Sequence, residues 1–235
     1  MSARRRDEPV AEPLSRSAED YLKAVFRLCE RSGAATTTDI AAELALSPAA
    51  VTGMVKRLAE SGHLAHVPYR GVQLTDQGRT AALAVVRRHR IIETYLLERL
   101  HYDWASVDAE AERLEHASSD ALIERMAEAL GEPKYDPHGA PIPTRDGKIE
   151  TPDYRPLAAV EVGVSVALRL VGDDDSDRLR YLESLGLVPA VELMIRDRQP
   201  YGGPITVRIG GPSGTERVIG KELAETLMVG PVGAD

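Results

Sequence analysis

The sequence predicts a multi-domain, mainly α-helical protein with an N-terminal winged helix-turn-helix, a helical middle and a small C-terminal β-barrel. Three observations predict it. Two short amphipathic helical stretches are joined by Leu46-Ser47-Pro48 and followed by a pair of alternating strand segments. Helical periodicity then runs from Thr75 to Leu130. Past a Pro/Gly-rich stretch, the apolar spacing changes from the helical period to the strand period of two.

The first helix follows Ser17-Ala18-Glu19-Asp20 and carries Leu22, Val25, Phe26 and Cys29 on one face before Gly33. Thr36-Thr37-Thr38 opens a second, short helix through Ile40, Ala41 and Leu44. Ser47 is placed to cap the third, with Pro48 at its first position, where a missing N–H costs nothing. That helix, Ala49 to Glu60, turns Val51, Val55 and Leu58 to one side and stops at Gly62. Leu64-Ala65-His66-Val67 and Val72-Gln73-Leu74 alternate around Tyr69-Arg70-Gly71, forming a β-hairpin wing. Thr75-Asp76-Gln77-Gly78 caps a long helix to about Leu100. Further helices are expected over Val107–Ser118 and Asp120–Leu130, ending at Gly131-Glu132-Pro133. Pro137 to Asp153 has no periodicity and reads as a solvated linker, with His138 exposed. Beyond it, five short strands are expected, beginning with Val162-Val164-Val166-Leu168 and interrupted by one helix over Ser176–Leu185.

The chain has 235 residues and a formal net charge of −8. That balance argues against a nucleic-acid partner until it is divided. Residues 1–88 carry 13 Lys/Arg against 10 Asp/Glu, whereas residues 89–150 carry 7 against 14 and residues 151–235 carry 9 against 13. A basic N-terminal end and an acidic middle fit a DNA-facing domain followed by a cation-binding one. One cysteine, Cys29, excludes a disulfide framework and a multi-cysteine zinc site, and places the chain in a reducing, cytoplasmic compartment. Its helical spacing predicts burial. No apolar run is long enough to span a membrane. Met1–Arg16 lacks an apolar core and reads as a disordered lead-in, not a secretory signal.

Between Asp108 and His116, four ligand-type residues (Asp108, Glu112, Glu115, His116) follow at steps of four, three and one. On a helix these steps share one face. Three carboxylates and an imidazole repel one another without a cation among them. Oxygen and nitrogen donors suit Mn²⁺ or Fe²⁺ better than a thiolate-type zinc site. His89 and Glu93 form a second pair one turn apart on the preceding helix.

Three stretches resemble one family: Ala18-Glu19-Asp20-Tyr21-Leu22, the winged helix ending in Leu74-Thr75-Asp76-Gln77-Gly78-Arg79, and His89-Arg90 through Glu115-His116. The family is that of metal-dependent repressors, including the diphtheria toxin repressor and the manganese transport regulators. The C-terminal segment resembles the SH3-like, FeoA-type domain of its longer members. The resemblance implies a winged-helix DNA-binding domain over residues 17–83 and a helical metal-binding and dimerisation domain over 84–136. A linker over 137–157 and an SH3-like domain over 158–230 complete the arrangement.

The resemblance also implies a primary metal site of Asp20, Glu112, Glu115 and His116. Iron-type members have Met and Cys at the positions of Asp20 and Glu112, so the harder donors here shift preference toward Mn²⁺, with Fe²⁺ the alternative. Lys23 stands where some manganese regulators carry a further Glu. An ancillary site would use His89, Glu93 and Asp108, completed by Asp174 and Asp177 of the acidic run Asp173–Asp177. The implied protein is a homodimeric, manganese-activated repressor of metal-ion uptake genes that binds palindromic double-stranded operator DNA. Its rival within the fold is an iron(II)-responsive repressor. DNA contacts fall on Thr37, Thr38, Ser47, Ala49, Ala50, Thr52, Gly53, Lys56, Arg57 and Arg70. Diphtheria-type members carry a base-reading Gln at the position of Gly53, so shape readout gains weight here.

Several of these residues have an ordinary structural reading as well. Ser17-x-x-Asp20 is a capping-box-like pattern, and a first-turn acid gains roughly 0.3–1 kcal/mol from the helix dipole. His89 follows Arg87-Arg88 and fits a solvated or phosphate-facing histidine. Asp173–Asp177 fits a solvated charge run or a helix cap, and Arg57 an intramolecular ion pair. An enzyme, such as a small metallohydrolase, is disfavoured because no general base or nucleophile stands apart from the ligand set.

Overall fold

The computed structural model describes residues 14–172 and 175–233, divided into two compact units at Val85/Val86. The first unit holds α1 (Arg16–Ser32), α2 (Thr37–Glu43), α3 (Pro48–Glu60), β1 (Leu64–Val67), β2 (Gly71–Leu74) and the start of α4 (Asp76–Leu100). Ser15, not Ser17, caps α1, its side chain accepting from Ala18 N, so the capping-box reading of Asp20 falls away. Thr36 and Asp39 form a reciprocal capping box on α2. Ser47 caps α3 through Ala50 N with Pro48 in the first turn, as the sequence predicts. Leu22, Val25, Ile40, Val51, Leu58, Leu64 and Val72 are buried together, each gaining roughly 1.5–3 kcal/mol from leaving water. Cys29 is only half-buried, its Sγ 3.9 Å from the Val72 carbonyl. The wing pairs antiparallel from Leu64↔Leu74 to Val67↔Gly71.

The second unit contains the rest of α4, α5 (Val107–Leu114), α6 (Asp120–Leu130), β3 (Arg155–Pro156), β4 (Ser165–Leu170), α7 (Ser176–Leu185), β5 (Glu192–Arg198), β6 (Ile205–Ile209), β7 (Thr215–Ile219), α8 (Lys221–Thr226) and β8 (Met228–Gly230). Ile91, Ile92, Leu96, Val107, Ala111, Ile123 and Ala127 hold its helices together. The strands form one six-stranded antiparallel sheet in the order β3-β8-β4-β5-β6-β7. Its inner face buries Leu168, Leu193, Ile195, Ile205 and Val207 against Leu179 and Leu182 of α7, and Trp104 joins that core from the α4–α5 loop.

Four expectations change. α5 stops at Leu114, because Ala117 N and Ser118 N both bond the Leu114 carbonyl and close the helix. β4 begins at Ser165: Val164 N bonds Glu161 O across a turn with Gly163 at φ 86°, which leaves Val162 and Val164 exposed. The sheet has six strands where five were expected, β3 and β8 being three residues or shorter, and the six-residue α8 is additional. Finally, the start of the expected linker is interior, with His138, Ala140 and Ile142 buried beside Asp136 just before it.

Candidate metal centre and DNA-binding surface

α4 and α5 bring four carboxylates around one imidazole. His89 is buried at 2% exposure. Its Nδ1 lies 2.6 Å from Glu115 Oε2 and 3.8 Å from Glu112 Oε2. Its Nε2 lies 3.1 Å from Asp108 Oδ1 and 3.7 Å from Glu93 Oε1. Burial alone would lower the His89 pKa, but the hydrogen-bonded carboxylates of Asp108 and Glu115 and the nearby charge of Glu93 overcome it and hold it well above the usual histidine range. His89 is therefore the cation of this cluster. Ligand-type atoms of His89, Glu93 and Asp108 all lie within 4.8 Å of one another.

Glu93 is fully buried, and neither carboxylate oxygen has a hydrogen-bond partner among the described residues. A buried ionised carboxylate in that condition costs several kcal/mol. Facing it, 3.6 Å from Oε1, is Nδ1 of His138, a fully buried histidine. His138 Nε2 is 3.1 Å from the Trp104 carbonyl, which can only accept, so Nε2 carries a proton and, in the neutral ring, Nδ1 presents a lone pair. Two acceptors thus confront each other in the interior. A shared cation satisfies both, and the pair fits a divalent metal with oxygen and nitrogen donors.

The His138 loop is held from several sides. Trp104 Nε1 donates to Pro137 O at 2.9 Å, and Val171 N donates to His138 O at 3.0 Å. Asp136 Oδ1 accepts from His138 N and Ala140 N, and its Oδ2 pairs with Arg90 Nε at 3.3 Å. A Cβ on Gly139, at φ 91°, would stand 1.7 Å from Arg169 O, so only glycine lets the loop approach β4 this closely. Sequence reasoning missed His138 and Asp136. The signal was an acid and an imidazole two residues apart, hidden by the Pro/Gly composition around them.

Glu112, Glu115 and His116 offer a second set of donors, also within 4.8 Å of one another. Glu115 is the C-cap of α5 and fully buried, while Glu112 and His116 are half-buried. Glu115 and His116 therefore lie just beyond the helix whose face they were expected to share. Glu115 Oε1 is 3.2 Å from His116 Nε2, while its other oxygen faces His89. Asp20 belongs to the first unit, half-buried in the first turns of α1. Asp177 is 95% exposed and paired with Arg180 at 2.7 Å, and it is not among the residues grouped with His89. Asp174 lies outside the described residues. In the same acidic run, Asp175 caps α7 through Asp177 N and Arg178 N.

In the first unit, Ser47, Ala49, Ala50, Thr52, Gly53, Lys56 and Arg57 are exposed along α3. A Cβ at Gly53 would meet nothing within 4 Å, so this face admits close approach. Lys56 lies 3.8 Å from Glu60 at the surface, and Arg57 Nη2 is 3.6 Å from Met54 Sδ. Thr37 is half-buried and Thr38 exposed at the start of α2. Arg70 turns back, Nη2 donating to Ser32 O at 3.2 Å.

Comparisons with known proteins match three stretches of the chain. Residues 13–72 match the N-terminal DNA-binding domain of iron-dependent repressors, residues 75–144 their metal-binding and dimerisation domain, and residues 155–231 the FeoA domain. The iron-dependent repressor IdeR of Mycobacterium tuberculosis is 30% identical over 210 residues, 83% of this chain and 89% of that one. The diphtheria toxin repressor of Corynebacterium efficiens is 31% identical over 194 residues, 78% of this chain and 84% of that one. A manganese-dependent transcriptional repressor solved in complex with manganese is 39% identical with a TM-score of 0.83, covering 90% of this chain and 98% of that one. A winged helix, a divalent-cation centre and a FeoA domain define the class of metal-dependent, DNA-binding transcriptional repressors, which are not enzymes. Within that class, the chain belongs to the diphtheria toxin repressor family.

Proposed function

We propose that this repressor is activated by Mn²⁺, acts as a homodimer on palindromic operator DNA and controls metal-ion uptake genes. The observation that carries the metal reading is the buried confrontation of Glu93 with His138 beside the carboxylates around His89. The donors are carboxylate oxygens and imidazole nitrogens, and the single cysteine lies in α1 against the Val72 carbonyl. That donor set favours Mn²⁺ over softer ions. Similarity to the manganese-dependent repressor and to the manganese regulator SloR (30% identical, TM-score 0.74, covering 91% of this chain and 98% of that one) supports the same choice.

In the proposed assignment, Glu112, Glu115 and His116 hold a primary ion together with Asp20, while His89, Glu93, Asp108 and His138 hold an ancillary one. Asp174 and Asp177 remain proposed contributors from the segment before α7. A bound divalent ion supplies the positive charge that lets these carboxylates converge. His89 joins the two sets: with Nε2 given to an ion, its Nδ1–H stays on Glu115 and fixes that carboxylate's orientation. Asp20 on α1 and Glu115 beyond α5 then tie the angle of the winged helix to the dimerisation helices. Recognition helices in a dimer must lie about 34 Å apart to enter successive major grooves, so fixing that angle raises the DNA-competent fraction.

The iron(II) reading is favoured by one observation, the similarity to IdeR. Half-activation of operator binding by Mn²⁺ and by Fe²⁺, compared without oxygen, separates the two. The Mn²⁺ reading requires activation at the lower concentration by Mn²⁺ in buffered metal; preference for Fe²⁺ would overturn it.

A further inference from the structure

The wing ends in a residue that the fold itself gives no reason to keep. Val67-Pro68-Tyr69-Arg70 is a β-turn closed by Arg70 N donating to Val67 O at 3.0 Å. Proline at the second position fixes its own φ, and Tyr69 at the third adopts φ 62°. This is a type II turn, whose third position favours glycine because a side chain there crowds the backbone. Tyr69 is nevertheless as exposed as in an unfolded chain, at 108%. The backbone strain is thus not offset by burial of the ring, and strain of this kind collects where a side chain is needed for binding.

The tip is also presented rigidly. Val72 and Ala35 exchange backbone hydrogen bonds at 2.9 Å in both directions. Gly71, at φ 108°, passes so close that a Cβ would lie 2.2 Å from Ala35 O. Arg70 is turned back onto Ser32 O. The wing is therefore fastened to the residues leading into α2, and Tyr69 is the group it sends outward. α2 precedes the recognition helix, and in helix-turn-helix domains that first helix crosses the DNA backbone.

We infer that Tyr69 is the wing's contact with duplex DNA, its hydroxyl donating to a backbone phosphate oxygen and its ring lying along the adjoining sugars. Tyrosine is among the residues that make such contacts, which position the protein without reading sequence. Tyr69 and the exposed residues of α3 fall within the same DNA-binding domain match, residues 13–72. A neutral phenol releases no counterion, so its contribution differs from that of a lysine or arginine in leaving the salt dependence unchanged.

The test uses the full chain loaded with Mn²⁺ and a duplex selected by that protein from a random pool. Tyr69→Gly gives the turn the residue it favours and removes the contact. The thermal midpoint should hold or rise while operator affinity falls by about tenfold or more, since each wing of a dimer loses a bond to a charged acceptor. The slope of affinity against salt should stay the same, and Tyr69→Phe should give part of the loss. Tyr201 supplies the control. It also has a positive φ, 58°, at 105% exposure, but at the second position of a type I′ turn, Pro200-Tyr201-Gly202-Gly203, in the FeoA domain. Tyr201→Gly should relieve similar strain and leave operator affinity unchanged. Unchanged affinity in Tyr69→Gly, or an equal loss in both variants, would overturn the inference. Failure of the unaltered protein to bind DNA with Mn²⁺ would instead count against the manganese reading.

Discussion

Glu93→Gln separates a structural carboxylate from a metal ligand, because the two roles predict opposite signs under opposite conditions. Glu93 is fully buried, both its oxygens lack hydrogen-bond partners among the described residues, and its nearest imidazole nitrogens stand at 3.6 and 3.7 Å. Leaving such a group unsatisfied costs roughly 1–3 kcal/mol, more when it is charged. The amide keeps the shape, removes the charge and gives His138 Nδ1 a donor. In chelator, the variant should therefore be more stable by about 2 kcal/mol. For a chain of this length, that raises the thermal midpoint by roughly 4–8 °C. With Mn²⁺ at about a thousand times its dissociation constant, the unaltered protein gains about 4 kcal/mol that the variant largely forgoes. The ranking should then invert, with the unaltered protein ahead by about 2 kcal/mol. Trp104, the single tryptophan, reports the unfolding of this unit because its ring lies 5.2 Å from the His138 ring. A variant less stable in chelator, or one that gains as much from Mn²⁺ as the unaltered protein, would refute the reasoning.

Two further outcomes follow from the same geometry. The His89 pKa is raised in the folded protein, so its stabilising contribution is fully present below the unfolded value of about 6.5 and is lost as pH rises through the folded value. In chelator, stability should fall across that window, whereas Mn²⁺ affinity should climb as Nε2 gives up its proton; a pH-independent Mn²⁺ affinity by calorimetry would contradict this. Gly139→Ala drives a methyl into Arg169 O and forces the His138 loop away from β4. It should weaken or abolish the Trp104 fluorescence response to Mn²⁺ while leaving the far-ultraviolet spectrum intact, and an unaltered response would count against His138 as a ligand.

Local signals in the sequence foretold the elements well. Ser47-Pro48 and Gly33 fix helix ends through a side-chain cap and a left-handed glycine, and Thr36, read as the opening of α2, turns out to share a capping box with Asp39. α7 was foretold to the residue because its apolar spacing ends at Gly186. What escaped depended on distant contacts. β8 is three residues long and exists because β3 and β4 flank it, and α8 lacks a side-chain cap to announce it. Within the site, His89 and Glu93 were readable as a pair because helical spacing places them on one face of α4, whereas Asp108, on α5, was joined to them by the family resemblance. His138 was not readable, since its burial depends on Trp104, Val171 and Arg169, each more than thirty residues away in the chain. The acidic run before α7 shows the converse: Asp177 looks like a ligand by composition and lies in solvent against Arg180.

The central claim is that metal occupancy and operator binding are one linked equilibrium. Fluorescence anisotropy of a selected operator duplex, titrated with the full chain in Mn²⁺ and in chelator, tests it most directly. The account predicts that Mn²⁺ tightens DNA binding by about a hundredfold or more, and that saturating DNA tightens Mn²⁺ binding by the same factor. Equal DNA affinity with and without chelator would contradict it.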